Sequence, residues 1–354
     1  MTSLESPYSA VALQVHCRAV NQCDDEAARQ RMLESIARCQ GQILSSKSFI
    51  KTFSGDDVRL VVLPEYFLTS FPVKESAAEW ISKCCVEPDG AEYEALSKIA
   101  EKASIYLSGN LYETDSNFPE LYFQTSFIID DKGDVILRYR RLISMFAPTP
   151  HDLLSNYLDV YGEDALFPVA DTPLGRLACI ASEEILYPEI ARALALKGAE
   201  VICHSSSEVG SPLMTPKNVA KQARAYENMV YIVSSNSAGI GDIPFPAEST
   251  DGHSQVVDYK GRVLAEAGSG ESMCGNAEID ISAQRRVRAK PAMTNMLARQ
   301  RLDLFSSTYA KTIYPRNSLF DKEALNAPNR DHFLSTQRVA IQHLKELGVL
   351  PKED

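Results

Sequence analysis

The sequence predicts an α/β protein, and three observations support this class. Short apolar runs that suit buried strands alternate with longer stretches of helix-forming composition. Strand pairs at 122–130 with 135–139 and at 254–258 with 262–266 are joined by turns containing glycine, which predicts antiparallel hairpins within the sheet. The apolar run 177–181 breaks abruptly at Ser182, so this side chain is expected at the carboxyl edge of a sheet, where α/β proteins place reactive groups.

The remaining elements follow from the same patterns. Strands are predicted at 11–15, 58–63, 105–110, 201–203, 230–234 and 275–279, and helices at 26–43, 90–103, 189–197, 216–229 and 332–347. Proline at position 188 or 216 suits the first turn of a helix. Residues 142–167 show no regular pattern, and a connection of this length is usually functional or mobile.

Composition narrows the class of partner. The 354 residues carry a net charge of −11, with 45% hydrophobic and 23% charged residues. This acidic balance argues against nucleic acid or an anionic membrane as the main partner. The amino terminus lacks the pattern of a signal peptide, no apolar run is long enough to span a bilayer, and the eight cysteines show no metal-ligand spacing. We therefore expect a cytoplasmic protein that keeps reduced thiols, has no metal or other cofactor, and binds a small molecule.

The segment from Ser182 to Glu189 carries the most specific signal. Its residues, S-E-E-I-L-Y-P-E, resemble the motif that holds the nucleophilic cysteine of the nitrilase, or carbon–nitrogen hydrolase, superfamily. The resemblance places Ser182 at the position of that cysteine. We call the turn from Ser182 to Tyr187 the elbow.

Five further motifs occur in the order of that family, between about residues 11 and 307. V-V-L-P-E-Y-F resembles the motif that contains the general base and matches it with Glu65, and R-Y-R-R resembles the lysine motif and ends in Arg141. The other three are R-A-Y-E-N, V-S-S-N and G-H-S-Q. The resemblance implies an α–β–β–α sandwich and a homodimer, with a hydrolase-like domain over residues 1–310 and a partly helical extension over 311–354.

The resemblance also implies a chemistry, and two residues depart from it. In the family a thiol attacks an amide or nitrile carbon, a glutamate takes the proton, and a lysine stabilises the oxyanion. A serine hydroxyl is a far weaker acid than a thiol, so Glu65 alone is a poor base for Ser182, and known serine nucleophiles use an imidazole or a lysine. Arg141 keeps the positive charge and can bind an oxyanion or carboxylate with two hydrogen bonds, but it does not release a proton.

Four further side chains are predicted to contact substrate: Tyr66, Glu183, His204 and Asp159. His204 is expected to follow the strand 201–203 and is a candidate base for Ser182, although a loop histidine with structural partners is favoured over this role. Asp159, with Asp152 behind it, is the nearest candidate for a second acidic residue that the family has between its lysine and its cysteine.

Three hypotheses remain open at this point. The chain is a divergent enzyme that acts on a C–N bond of a small metabolite, a catalytically silent homologue that binds a ligand or partner, or an active enzyme in which serine has been substituted for cysteine. The third explains Ser182 and leaves Arg141 unexplained, so the first two are preferred.

Overall fold

The computed structural model describes residues 6–208, 214–250, 252–275, 277–321, 324–325 and 328–351. Its strands are β1 (Tyr8–Ala12), β2 (His16–Arg18), β3 (Val58–Val62), β4 (Tyr106–Thr114), β5 (Tyr122–Ile129), β6 (Val135–Arg140), β7 (Ala170–Thr172), β8 (Gly175–Ala181), β9 (Val201–Ser206), β10 (Tyr231–Asn236), β11 (Gly239–Gly241), β12 (Gln255–Val257), β13 (Val263–Glu266), β14 (Ala277–Ile279), β15 (Phe320–Asp321) and β16 (Ala324–Leu325). Its helices are α1 (Asp25–Ser54), α2 (Ala77–Cys84), α3 (Ala91–Ala103), α4 (Leu154–Tyr161), α5 (Pro188–Leu196), α6 (Pro216–Asn228), α7 (Ile281–Arg288), α8 (Ser306–Tyr309) and α9 (Arg330–Glu346).

Two six-stranded sheets pack face to face. The first has the order β14-β1-β3-β4-β5-β6 and the second β13-β12-β10-β9-β8-β7. Apolar side chains from both sheets, among them Val62, Ile128, Cys179 and Val233, form one buried layer between them. Helices α1 and α3 cover the outer face of the first sheet, and α5 and α6 cover the second, so each sheet is buried on both faces. This α–β–β–α sandwich confirms the predicted architecture.

The local signals used above correspond to real elements. Strands β5 and β6 pair antiparallel across a turn in which Gly133 has a φ of 90°, a value that favours glycine. Helix α5 begins at Pro188, the residue predicted for its first turn. Helix α1 runs eleven residues past the predicted end at 43 and stops where Gly55 adopts a left-handed conformation.

Three expectations about local structure were wrong. Residues 142–167 are not structureless, because 3-10 turns at Pro150–Leu153 and Glu163–Leu166 flank α4, and the buried Tyr157 anchors α4 against Phe118 and Phe123. Helix α2, which holds the fully buried Trp80, was not predicted at all. Strand β9 extends through Ser206, so His204 lies inside a buried strand and not after it.

Two further features bear on the sequence expectations. All eight cysteines are unpaired thiols, and seven of them are buried. Within the described ranges, no helix is both long enough and apolar enough to cross a membrane.

Candidate active site

The predicted catalytic residues lie just beyond the carboxyl ends of three strands. Glu65 follows β3, Arg141 follows β6 and Ser182 follows β8. Two hydrogen bonds link the two sheets at this edge. Ser205 Oγ donates to the carbonyl of Leu63 at 2.7 Å, and the amide of Glu65 donates to the carbonyl of Ser206 at 3.2 Å. The sandwich therefore brings strand ends from both sheets to one place.

Glu65 and Arg141 form a buried ion pair. Arg141 Nη1 lies 3.3 Å from Glu65 Oε1, and both side chains are almost completely buried. Gln124 on β5 bridges them, donating to Glu65 Oε1 at 2.6 Å and accepting from Arg141 Nη1. The second oxygen of Glu65, Oε2, is buried with no hydrogen-bond donor of the described residues within bonding distance.

Arg141 also binds the elbow. Its Nη2 lies 2.6 Å from Glu183 Oε1, and its Nε donates to the carbonyl of Ile143 at 2.8 Å. Burial disfavours the charge, but the carboxylates of Glu65 and Glu183 outweigh it and hold the pKa of Arg141 above its usual value. The hydrogen bonds of Arg141 use Nε and Nη1, while Nη2 takes part only in the ion pair with Glu183. Nη2 is therefore the group of Arg141 that remains for a hydrogen bond to a substrate oxygen.

Glu184 fixes the spacing between Arg141 and Ser182. Its Oε1 accepts hydrogen bonds from the Tyr139 hydroxyl and from the amides of Leu142 and Ile143, and its Oε2 accepts one from the amide of Ala181. One carboxyl group thus joins the end of β6 to the end of β8. Burial raises the pKa of Glu184 to about 7, although Arg141 and the donated hydrogen bonds act in the opposite direction.

Ser182 occupies a strained backbone position that a histidine holds in place. Its φ is 49°, uncommon for a residue other than glycine, and the neighbouring site residue Tyr66 has a φ of 65°. His204 Nε2 lies 2.8 Å from the carbonyl of Ser182, and its Nδ1 lies 2.8 Å from Ser234 Oγ. Since a carbonyl can only accept, Nε2 carries the proton and Nδ1 accepts from the serine. His204 therefore contacts the backbone of Ser182, and the proposed role as a base for the Ser182 hydroxyl does not fit this geometry.

Burial keeps His204 neutral. It lowers the pKa of the imidazole well below its usual value, and the charge of Lys221 acts in the same direction. The histidine is a positioning residue for the elbow.

The side chain that does approach the Ser182 hydroxyl is Lys217, which the sequence analysis missed. Lys217 Nζ lies 3.4 Å from Ser182 Oγ, 3.3 Å from Ser206 Oγ and 3.5 Å from Glu208 Oε2. Lys217 is buried in the first turn of α6, directly after Pro216. A lysine is unfavourable there because the helix dipole repels positive charge, and this mismatch is the signal by which the sequence alone could have singled it out.

A cavity of about 850 Å³ opens beside Arg141, and Tyr66, Gln124 and Glu183 also line it. Ser182, Lys217 and Glu65 are not among the described residues of its lining. Burial, followed by the charge of Glu65, raises the pKa of the Tyr66 hydroxyl well above its usual value, so this tyrosine remains a hydrogen-bond donor.

Two acidic candidates lie elsewhere. Asp159 is exposed on α4 and is not among the described residues that line the cavity. Asp152 caps the turn at Pro150–Leu153, accepting from the amide and the hydroxyl of Thr149 and from Ser318. Its carboxylate is committed to this structural role, so neither residue enters the site described here.

The fold is that of one enzyme family. The model of the family described as carbon-nitrogen hydrolase matches residues 10–289, and the chain belongs to this family. Omega-amidase NIT3 of Saccharomyces cerevisiae is 26% identical over 257 residues, which cover 72% of this chain and 84% of the yeast protein. A formamidase of Bacillus cereus (strain Q1) is 28% identical over 244 residues, or 66% of each chain.

Other similarities concern part of a longer protein or the fold alone. The nitrilase and fragile histidine triad fusion protein NitFhit of Caenorhabditis elegans is 29% identical over 216 residues, and the chain spans about half, 47%, of its length. The crystal structure of S. cerevisiae Nit3 has a TM-score of 0.60 at 24% identity and covers 83% of this chain and 97% of its own. A carbon-nitrogen hydrolase from Helicobacter pylori G27 has a TM-score of 0.62 at 21% identity, covering 86% and 98%. These two likenesses show the fold.

Proposed function

We propose that the chain hydrolyses an amide C–N bond of a small molecule with Ser182 as nucleophile and Lys217 as its proton acceptor. The observation that carries the proposal is the 3.4 Å separation between Lys217 Nζ and Ser182 Oγ in a buried site. A lysine is one of the partners that activates a serine, so this contact answers the objection that Glu65 alone is too weak a base. The family membership and the amidases among the relatives support the reaction class.

The proposed reaction is an acyl transfer to Ser182 followed by hydrolysis of the ester. As Ser182 Oγ bonds to the amide carbon, its proton passes to Nζ of Lys217. The C–N bond then breaks, and the departing nitrogen takes the proton from Lys217. Water hydrolyses the resulting serine ester, which releases a carboxylic acid and restores the hydroxyl group.

The electrostatics around Lys217 act in both directions. The amino terminus of α6 repels the positive charge of Lys217, whereas the carboxylate of Glu208, 3.5 Å from Nζ, attracts it.

The other residues have separate roles in this proposal. Arg141 donates a hydrogen bond from Nη2 to the amide oxygen of the substrate, which becomes negative in the first step. Glu65, Gln124 and Glu183 already orient the guanidinium for this role. Glu65 Oε2 is a buried acceptor and can take a hydrogen bond from the amide nitrogen or the attacking water. Neither group needs to move, so the site is preorganised.

One observation favours the alternative of a silent homologue that binds a ligand. Glu65, the residue expected to act as base, has one oxygen that already accepts hydrogen bonds from both Arg141 and Gln124. A site in which this pair is purely structural would still bind a small amide.

Comparison of wild type with Ser182→Ala distinguishes the hydrolase from the silent homologue. With a panel of primary amides and ammonia release as readout, we expect wild type to turn over at least one amide and Ser182→Ala to lose 10³-fold or more. A fluorophosphonate probe, followed by intact mass and peptide mapping, tests the nucleophile without knowledge of the substrate. No turnover and no labelling of Ser182 in the wild type, with amide binding retained, would establish the silent homologue instead.

A further inference from the structure

The cavity next to the catalytic cluster is much larger than a small aliphatic amide requires. Its volume, about 850 Å³, lies near the upper end of the range for sites that hold drug-sized ligands. Its lining includes the polar side chains of Arg141, Gln124 and Glu183 together with seven aromatic residues, and aliphatic, polar and charged side chains form the rest. A ligand that fills it therefore has a small polar end and a large apolar end.

One side of the cavity is a row of three aromatic rings, which we call the aromatic wall. Tyr66, beside Glu65, lies 5.3 Å from Phe71 between ring centroids, and Phe71 lies 6.4 Å from Phe245. Phe245, at the outer end of the row, is 51% exposed. An exposed phenylalanine next to two other rings at a cavity mouth is well placed to contact an aromatic ligand edge to face.

Another part of the lining combines Phe146 with residues from outside the region that the family model matches. Phe333 and Arg330 belong to α9, beyond the matched residues 10–289, and Arg330 lies over the ring of Phe146 at 4.1 Å. Phe333 is buried, and Asn329 caps the helix by accepting from the amide of His332 at 2.9 Å. We call Phe146, Arg330 and Phe333 the C-terminal wall.

The charges of the cavity do not suit an anionic substituent. Apart from Arg141 and Glu183, three carboxylates of the lining, Glu75, Glu79 and Asp331, outnumber the cations Lys74 and Arg330. The buried cation of the lining, Arg141, is already paired with two carboxylates. An amide that also carries a carboxylate would add negative charge to an acidic lining. Its carboxylate would find no unpaired buried arginine among the described residues of the lining.

We propose that the cavity binds a neutral amide bearing an aromatic substituent, with the amide at Arg141 and the ring between the aromatic and C-terminal walls. This inference rests on the proposed function for the position of the amide group, and it makes α9 a specificity element of this chain. It predicts that 4-phenylbutyramide is bound in preference to butyramide and to the anionic glutaramate.

Binding to Ser182→Ala tests the proposal without turnover. By isothermal titration calorimetry, we expect 4-phenylbutyramide to bind at least about tenfold more tightly than butyramide, and glutaramate to bind no better than butyramide. N-(2-phenylethyl)formamide places the ring on the nitrogen side, and tighter binding of either aromatic ligand supports the proposal and assigns the substituent. Affinity for both aromatic ligands no greater than that for butyramide, or a preference for glutaramate, overturns it.

Variants locate the bound ring. Phe245→Ala and Arg330→Ala alter exposed side chains and are expected to leave the fold intact while reducing the aromatic preference severalfold, and Phe333→Ala should reduce it further. Phe53→Ala, an exposed phenylalanine on α1 outside the cavity lining, is the matched control and should retain the full preference. A preference unchanged in all three cavity variants refutes the assigned site.

The two proposals fail in different ways. If the enzyme is silent, aromatic binding persists but wild type releases no ammonia. If the cavity assignment is wrong, ammonia is released with no preference between 4-phenylbutyramide and butyramide.

Discussion

The contact between Lys217 and Ser182 leads to the most decisive prediction. Lys217→Met retains the length and most of the volume of the side chain and removes only the nitrogen that contacts the Ser182 hydroxyl. If Lys217 is the proton acceptor, kcat/KM for amides should fall by about 10²- to 10⁴-fold, equivalent to about 3–5 kcal/mol of transition-state stabilisation. The labelling rate of Ser182 with a fluorophosphonate should fall in parallel.

The structure also sets the expected effect on stability. Lys217 Nζ lies 3.3–3.5 Å from its three oxygen partners, at the long end of the hydrogen-bond range, so these contacts are individually weak. Replacing the ammonium with an apolar group of similar size should therefore change the free energy of unfolding by about 1 kcal/mol, provided that Glu208 is not left as an uncompensated charge.

Glu208→Gln separates these two effects. In Lys217→Met the carboxylate of Glu208 loses its charged partner. Combining Glu208→Gln with Lys217→Met removes that carboxylate, and Glu208→Gln alone is the control. We expect Glu208→Gln to retain labelling, and the double variant to regain stability without regaining activity. The assay is the pH profile of the labelling rate, together with urea unfolding of each variant. If Lys217→Met labels as fast as wild type at every pH, the role of Lys217 as proton acceptor is refuted.

Three further predictions concern neighbouring features. Arg141→Lys should lower the free energy of unfolding by about 3 kcal/mol, because one ammonium cannot pair both Glu65 and Glu183. Urea unfolding measures this loss, with Arg18→Lys at an exposed ion pair as the control. A loss no larger than in the control contradicts the shared pairing. The folded chain keeps Glu184 protonated up to about pH 7, whereas the unfolded chain releases this proton near 4.5, so the free energy of unfolding should fall by on the order of 3 kcal/mol between these pH values. Glu184→Gln should flatten this slope, and an identical pH dependence in the variant would exclude Glu184 as its source. We also expect a homodimer that buries Leu196 of α5 and Val219 of α6, two exposed apolar side chains. The double variant Leu196→Arg with Val219→Arg should then be a monomer by light scattering. A monomeric wild type would contradict this expectation.

The sequence determined the architecture because its signals are local or follow the order of motifs. Apolar runs of strand length, glycine turns and proline at helix starts depend on neighbouring residues, and they located β5, β6, β8 and α5 correctly. Residues 142–167 were misjudged because α4 is stabilised by Tyr157 packing on distant rings, a contact that no local pattern reports.

The candidate site depended on contacts that the sequence cannot show. Glu65, Arg141 and Ser182 could be named from their motifs, since each directly follows a recognisable strand. The partners of Ser182 could not be named, because His204 and Lys217 are close in sequence to each other, yet only tertiary packing decides which one reaches its hydroxyl group. The structure turns His204 towards the Ser182 carbonyl and brings Lys217 within 3.4 Å of Oγ, since β9 pairs with β8 in register while α6 packs against the elbow. Likewise, only the folded chain brings α9 from beyond residue 328 to a cavity whose other wall begins at Tyr66.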